Sequence, residues 1–299
     1  MQDNKNPLKL PIEDARLNTA RHNIDAMKFD RLEYIIAESP ELPDILVVEA
    51  DGRAHYESHS NESTPVHPEI GIYETNLTGS EIQSLEGTLN TPLFEAIPDH
   101  WGHVRSGERF RRIRVTTGLE KKEKLVGFRA PIDPAMRRIM DALDQIVLKV
   151  RLHPYQTVLA KIEQIIIGND KVLTAVLMLS NTGPESVRCR NPVDLNEGTY
   201  GQLLFQAWSD KPRADLRPED LIIANPLSPE DLRPGENALP FIEIGPGAKF
   251  SFCVRFSLGL QRTGRYLIRA FFSNSTAEMG GKSALTGELF SQTVAIDLP

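Results

Sequence analysis

The chain has 299 residues, 40% hydrophobic and 25% charged, an ordinary globular make-up and enough length for two hydrophobic cores. Its 41 acidic and 34 basic side chains leave a net charge of −7, which repels phosphate backbones at long range and argues against nucleic acid as a partner. No apolar run approaches the roughly 18 residues of a membrane span, and two cysteines, Cys189 and Cys253, are too few for a disulfide framework.

Residues 1–30 are polar and weakly periodic, and read as an arm or a marginal helix. The opening Met1-Gln-Asp-Asn-Lys-Asn-Pro-Leu has no apolar core behind a basic start, so the expected location is cytoplasmic as written, or the envelope or periplasm if a leader has been removed. The first strands expected are Leu32–Ala37, Ile45–Ala50 and Arg53–Glu57. Asp51-Gly52 between the last two is a hairpin signal, because a tight type I′ turn needs positive φ. Gly71–Thr75 is a further strand, and Thr78-Gly-Ser-Glu81 has the spacing of a capping box ahead of a short helix over 79–89. Phe110–Val115 and Lys124–Phe128 form a basic hairpin. Asp133-Pro134 opens a long helix whose apolar stripe runs from Met136 to Val150, and His153-Pro154 ends it. Strands, short helix, strands and long helix predict a small α+β domain over 31–154, an antiparallel sheet with helices on one face.

From Tyr155 the pattern changes to strands and turns, with a boundary expected near 152–157. Val158–Ile167, Val172–Leu179, Val187–Arg190, Gly201–Trp208, Lys249–Leu258, Gly264–Phe272 and Leu289–Leu298 are the candidate strands, and the Pro-rich 209–240 reads as loop. In Lys249–Leu258 the apolar residues Phe250, Phe252, Val254, Phe256 and Leu258 alternate with Ser251, Cys253, Arg255 and Ser257, the pattern of a half-buried strand. Such strands over 155–299 suit a two-sheet sandwich. The two cysteines fall on different layers of it and are expected to stay unbonded.

The runs "VLTAVLMLSNTGPESV", "IGPGAKFSFCVRFSL" and "TGRYLIRAFFSN" resemble bacterial immunoglobulin-like sandwich domains, with Gly264-Arg265-Tyr266 as a Gly-x-Tyr entry to a late strand. The likeness covers about 155–299, and the cysteines depart from the antibody-type core pair. The first half is similar to small bacterial inhibitor-like domains, in which a hairpin like that of Asp51, Gly52 and Tyr56 precedes a capped helix. The fold these resemblances imply is an α+β domain followed by an all-β immunoglobulin-like sandwich, and neither family brings catalytic residues.

Three clusters carry possible chemistry. His100 and His103, three apart in Asp99-His-Trp-Gly-His103, would share a metal ion on a helix, but Pro98 and Gly102 oppose a helix there and no third ligand is placed. His55, His59 and His67, with Glu57, Glu62 and Glu69, offer metal-ligating atoms without fixed mutual geometry, and read as solvated residues. No Gly-x-Ser-x-Gly, Walker loop or His-Glu-x-x-His occurs. The third cluster is basic: Arg105, Arg109, Arg111, Arg112, Arg114, Lys121, Lys122, Lys124 and Arg129 gather on one hairpin of an acidic chain. Arg112 and Arg114 share one strand face, and Arg109 and Arg111 the other. Such cations either blunt a sheet edge or hold an acidic protein surface. The reading that follows is a non-catalytic protein-binding module without cofactor or metal, of the inhibitor or immunity type, whose binding residues are Arg105, Arg109, Arg111, Arg112, Arg114, Lys121 and Lys122. The alternatives are a metal-dependent hydrolase using His100 and His103, and a structural or adhesive envelope module.

Overall fold

The computed structural model describes residues 26–37, 42–62, 68–89, 91–102, 104, 108–127, 133–168, 172–191, 201–211, 220–227, 241–259, 263–274, 278–279 and 282–298. His67, His103, Arg105, Arg129, nearly all of the polar arm and most of 209–240 lie outside these residues. No helix among them is long and apolar enough to cross a membrane.

The first strands are β1 (Arg31–Ala37), β2 (Asp44–Glu49), β3 (Arg53–Ser58) and β4 (Glu69–Asn76). They are followed by helices α1 (Gly79–Leu89) and α2 (Thr91–Ala96), strands β5 (His100–Trp101), β6 (Phe110–Thr117) and β7 (Glu120–Gly127), and helix α3 (Pro134–Val150). The rest is strand: β8 (Pro154–Ile167), β9 (Val172–Asn181), β10 (Val187–Arg190), β11 (Gly201–Ser209), β12 (Ile222–Ala224), β13 (Phe241–Ile244) and β14 (Lys249–Ser257). It ends with β15 (Gly264–Asn274), β16 (Glu278–Met279), β17 (Lys282–Ser283), β18 (Gly287–Phe290) and β19 (Val294–Leu298).

Local chemistry sets these elements. Gly52, at φ +93°, turns β2 into β3 in a conformation glycine adopts without steric cost. The Thr78 amide donates to Glu81 Oε2 at 2.7 Å and the Glu81 amide to Thr78 Oγ1 at 3.3 Å, closing the capping box of α1. Asp133 caps α3 by accepting from the Ala135 amide at 2.7 Å, and Pro134 occupies the first helical turn, where no donor is lost. Met136, Ile139, Met140, Leu143, Val147 and Val150 then form the buried stripe of α3.

A ten-stranded sheet, in the order β14-β9-β8-β4-β3-β2-β1-β6-β7-β5, runs through both halves of the chain. Its joint is the antiparallel pair β4–β8, with Glu69 opposite Leu159 and Gly71 opposite Thr157. There the register jumps, Ile72 facing Gln156 but Tyr73 facing Pro154, so Tyr155 is an extra residue that bulges from the ladder. A second sheet, β12-β11-β15-β18 with β19 also on β15, is separate.

The two faces of the large sheet are covered at different places. One core joins Leu32, Tyr34, Leu46, Tyr56, Tyr73 and Ile113 to the helical residues Leu85, Phe94, Met136 and Leu143. The other joins Ile70, Val158, Ala160, Leu177 and Phe256 to Phe205, Ile268 and Leu289 of the second sheet. Ile70 and Tyr73 belong to different cores, and an odd spacing along a strand puts them on opposite faces. Helices thus cover one face over the first half, and the second sheet covers the opposite face over the second.

This corrects the expected fold class. The chain is mostly β, and its first half is not an α+β domain set ahead of an independent immunoglobulin-like sandwich. The strands around α3 continue into the sheet that carries β8, β9 and β14. Alternation along a strand reports which residues face a core, but it does not say which sheet the strand joins.

Arg151, at the end of α3 and only 6% exposed, pins the helix to the sheet. It donates to Ser58 Oγ at 2.7 Å and lies over the rings of Tyr56 and Tyr73, at 5.3 and 5.9 Å. Tyr56 in turn donates to Asp44 Oδ2 at 2.6 Å. Burial, the largest influence on Asp44, pushes its carboxyl above the ordinary range despite that bond.

Both cysteines are free thiols. Cys253 is exposed on β14, whereas Cys189 is buried on β10 and desolvation pushes its pKa up to about 12. Titration with a thiol reagent at neutral pH is expected to find one fast-reacting thiol in the native chain and two after denaturation. Equal rates for both in the native state would contradict this burial.

Candidate functional site

The basic hairpin is β6–β7, near one end of the large sheet, with only the two-residue β5 pairing parallel beyond it. Strand alternation divides its cations between two faces. Arg111 points with Ile113 and Val115 toward the helices, donating to Tyr34 Oη at 2.7 Å and to Asp144 Oδ2 on α3 at 2.8 Å. Lys122 reaches Glu95 on α2 at 2.7 Å, and Lys124, 5% exposed, pairs with Asp99 at 2.8 Å and donates to the Ile97 carbonyl. On the opposite face Arg114 pairs with Glu33 at 2.9 Å and Glu123 at 2.8 Å, and Arg112 lies 3.7 Å from Glu123 and over the Phe110 ring. Arg109 and Lys121 are exposed. The chain's own carboxylates therefore take up most of the apparent surplus of charge. His100 is exposed on β5, and the other residue of that proposed metal pair, His103, is among those not described.

Arg112 and Arg114 belong to a larger surface. By register, Glu123, Arg114, Glu33, Val47, His55 and Glu74 form one row across β7, β6, β1, β2, β3 and β4. Leu125, Arg112, Ile35, Ile45, Glu57, Ile72 and Gln156 form a neighbouring row that extends to β8. This is the face opposite the helices. Ile35, Ile45, Val47 and Ile72 belong to neither core, so among the described residues no layer covers this part of the sheet. Charges of alternating sign lie over it: Arg31 pairs with Glu33 at 2.9 Å and Glu49 at 2.8 Å, while Arg53 pairs with Asp51 at the rim. A hollow of about 720 Å³ opens here, bordered by Arg31, Val47, Glu49, His55 and Glu74, with the bulged Tyr155 at its side.

His55 is the most constrained group on this face. Its Nε2 lies 2.9 Å from Glu57 Oε1 and its Nδ1 3.1 Å from Glu74 Oε1. Ionised carboxylates only accept, so both contacts are hydrogen bonds when both ring nitrogens carry hydrogen. The bond to Glu57, with that to Glu74 adding to it, raises the His55 pKa against desolvation, and the Glu57 carboxyl is lowered chiefly by the same bond to His55. A raised folded pKa means that the folded chain holds the proton more tightly than the unfolded one. The His55 contribution is therefore complete below about pH 6.5, the unfolded imidazole value, and fades as pH rises through the higher folded value. Glu57 acts in the opposite sense, its contribution being lost as pH falls through its depressed value. Urea melts should find His55→Gln more destabilising near pH 6 than near pH 9. A penalty independent of pH would contradict the doubly bonded imidazolium.

Sequence reading had named His55, His59 and Glu57 without fixing their geometry, and had missed Glu74, Glu33 and Arg31. Their spacing from β3 carries no signal, because only strand register brings them together. Of the other residues in that cluster, Glu62 pairs instead with Arg269 of the second sheet at 2.9 Å. No family model matches this chain, and no curated protein matches it in sequence.

Proposed function

We propose that this is a non-catalytic protein-binding module, and that its binding surface is the uncovered, charge-alternating face of β1, β2, β3, β6 and β7. The observation that carries the reading is the pair of rows just described, with half-buried Val47, Ile35 and Ile45 beneath long charged side chains and no layer of the described chain over them. A face of that composition resembles a protein interface, in which apolar area lies among polar groups that fix register. Arg112 and Arg114 of the hairpin line it, and Arg111 and Lys122 do not. Because Glu33 and Glu123 already hold Arg114, a uniformly acidic partner gains little, and a partner surface of alternating charge fits better.

The test is capture of the partner from the native host, followed by affinity measurements at several salt concentrations. Arg53→Glu combined with Arg114→Glu is expected to weaken binding at least about tenfold, roughly 1.4 kcal/mol, and to change its salt dependence. Arg265→Glu, on β15 of the other sheet, is the control. Equal affinity for all three proteins would defeat the reading.

A further inference from the structure

We infer that the occupant of the uncovered face is a second copy of this chain, packed face to face in a two-fold symmetric dimer; the inference rests on the reading of that face as a protein interface. The shape of the chain sets the register. Ile70 has the strand parity of Ile72 and Glu74 and belongs to the core shared with the second sheet, so that sheet lies on the same side as the uncovered strands. It comes down beside the end of β3, where the Glu288 amide of β18 donates to the His59 carbonyl at 2.6 Å. The second sheet therefore stands as a step on this face. Below the step lie β7, β6, β1, β2, β3 and the end of β4, and the middle of that span falls between β1 and β2. A second copy turned over about an axis parallel to the strands at that point brings its β7 edge against the step. Its own step receives the β7 edge of the first copy.

The same half-turn makes the side chains complementary. It reverses the strand order, so β6 of one copy lies over β3 of the other, and β1 over β2. Along the row of Leu125, Arg112, Ile35, Ile45, Glu57 and Ile72, it sets Ile35 over Ile45, Leu125 over Ile72 and Arg112 over Glu57. Each contact occurs twice, as a two-fold interface requires. Arg31 and Glu49, neighbours across β1 and β2, likewise come over each other's counterparts. In the row between, Arg114 and Glu123 meet His55 and Glu74, and opposite charges fall on the diagonal. Packed sheets cross at about 30°, which slides long side chains toward such diagonals.

Arg112 is also the cation that the chain leaves in want of an acceptor. Its Nε is buried without a hydrogen-bond partner and lies 3.7 Å from Glu123, too far for a bond. Glu57 of the second copy is the carboxylate that the half-turn offers it. At the centre, Ile35, Ile45 and Val47 are half-buried and supply the apolar area. Strands about 4.8 Å apart and rows about 7 Å apart give a footprint on the order of 600 Å² per copy. That is below the roughly 800 Å² per partner of a standard stable interface, so the dimer should be reversible, with a dissociation constant in the micromolar range.

The experiment is sedimentation equilibrium of the untagged full chain across micromolar concentrations. A monomer–dimer equilibrium that stops at the dimer is expected, because a two-fold contact closes. Arg112→Glu and Glu57→Arg should each weaken self-association at least about tenfold, since each sets like charges opposite one another at both ends of the row. An equimolar mixture of the two variants should regain the association of the unsubstituted chain, because the exchanged charges meet at one end and the native pair at the other. Thermal melts check that each variant folds, and recovery in the mixture requires it. A chain that stays monomeric overturns the second copy as occupant, as do association beyond the dimer, a dimer indifferent to both substitutions, and folded variants that fail to recover on mixing. Capture of a different protein whose affinity falls with Arg53→Glu and Arg114→Glu would overturn only the second copy and leave the face a protein interface. A monomer that captures no partner would remove that reading as well.

Discussion

Truncating Phe256 to alanine is expected to destabilise the chain by about 3–5 kcal/mol, the range for a fully buried phenylalanine. Phe256 is 0% exposed on β14, and its ring stacks on that of Phe205 from β11, with centroids 3.8 Å apart and planes 6° from parallel. The two rings come from the two sheets, so the contact spans the core rather than running along one strand. Alanine removes the transfer energy of the ring and leaves a cavity between two hydrogen-bonded layers that cannot readily collapse. A domain has about 5–15 kcal/mol in total, so the variant should be marginal. Phe250→Ala, at the half-buried start of the same strand, should cost distinctly less. Urea denaturation of both variants measures the difference, and equal penalties would mean that the stacked pair is not central. The Phe205→Ala and Phe256→Ala penalties should sum to more than the double variant loses, because the residues share one contact.

Gly71→Ala is the second large effect, at least about 2 kcal/mol, and its cause is backbone rather than core. Gly71 adopts φ +134°, where side chains are strained. A Cβ there would overlap the Gln156 carbonyl and stand 2.9 Å from Thr157 Cα. Neither atom can move without opening the β4–β8 ladder. Gly118→Ala in the β6–β7 turn is the comparison: φ is +58°, but nothing lies within 4 Å of the added carbon. It should cost only the backbone strain, about 1–2 kcal/mol. Thermal melts separate the two, and Gly71→Ala no worse than Gly118→Ala would show that the joint tolerates spreading.

Much of the local structure was legible because it is local. The Thr78–Glu81 box, the Asp133-Pro134 start and the alternation of Lys249–Leu258 each need only a few neighbouring residues, and each appears in the chain as expected. Sheet membership was not legible. β4 and β8 each alternate correctly, but their pairing joins segments separated by three helices, the short β5 and the β6–β7 hairpin. The candidate site fared likewise. The hairpin's cations looked like a surplus because their carboxylates are distant in sequence: Glu33 lies 81 residues before Arg114, and Asp144 lies 33 after Arg111. His55 and Glu57 read in the sequence as solvated residues without fixed geometry, and the second partner of the His55 ring, Glu74, is supplied by register alone.

The β4–β8 joint bears on how the chain emerges during synthesis. Until β8 has left the ribosome, β4 is an edge strand with its hydrogen-bonding groups unpaired, while β1, β2, β3, β6 and α3 are already available to build the first core. An exposed edge of this kind is a template for pairing with another chain. A fragment ending near Leu152 would therefore present a sticky border that the full chain seals from within, and at raised concentration it should associate more than the full chain does.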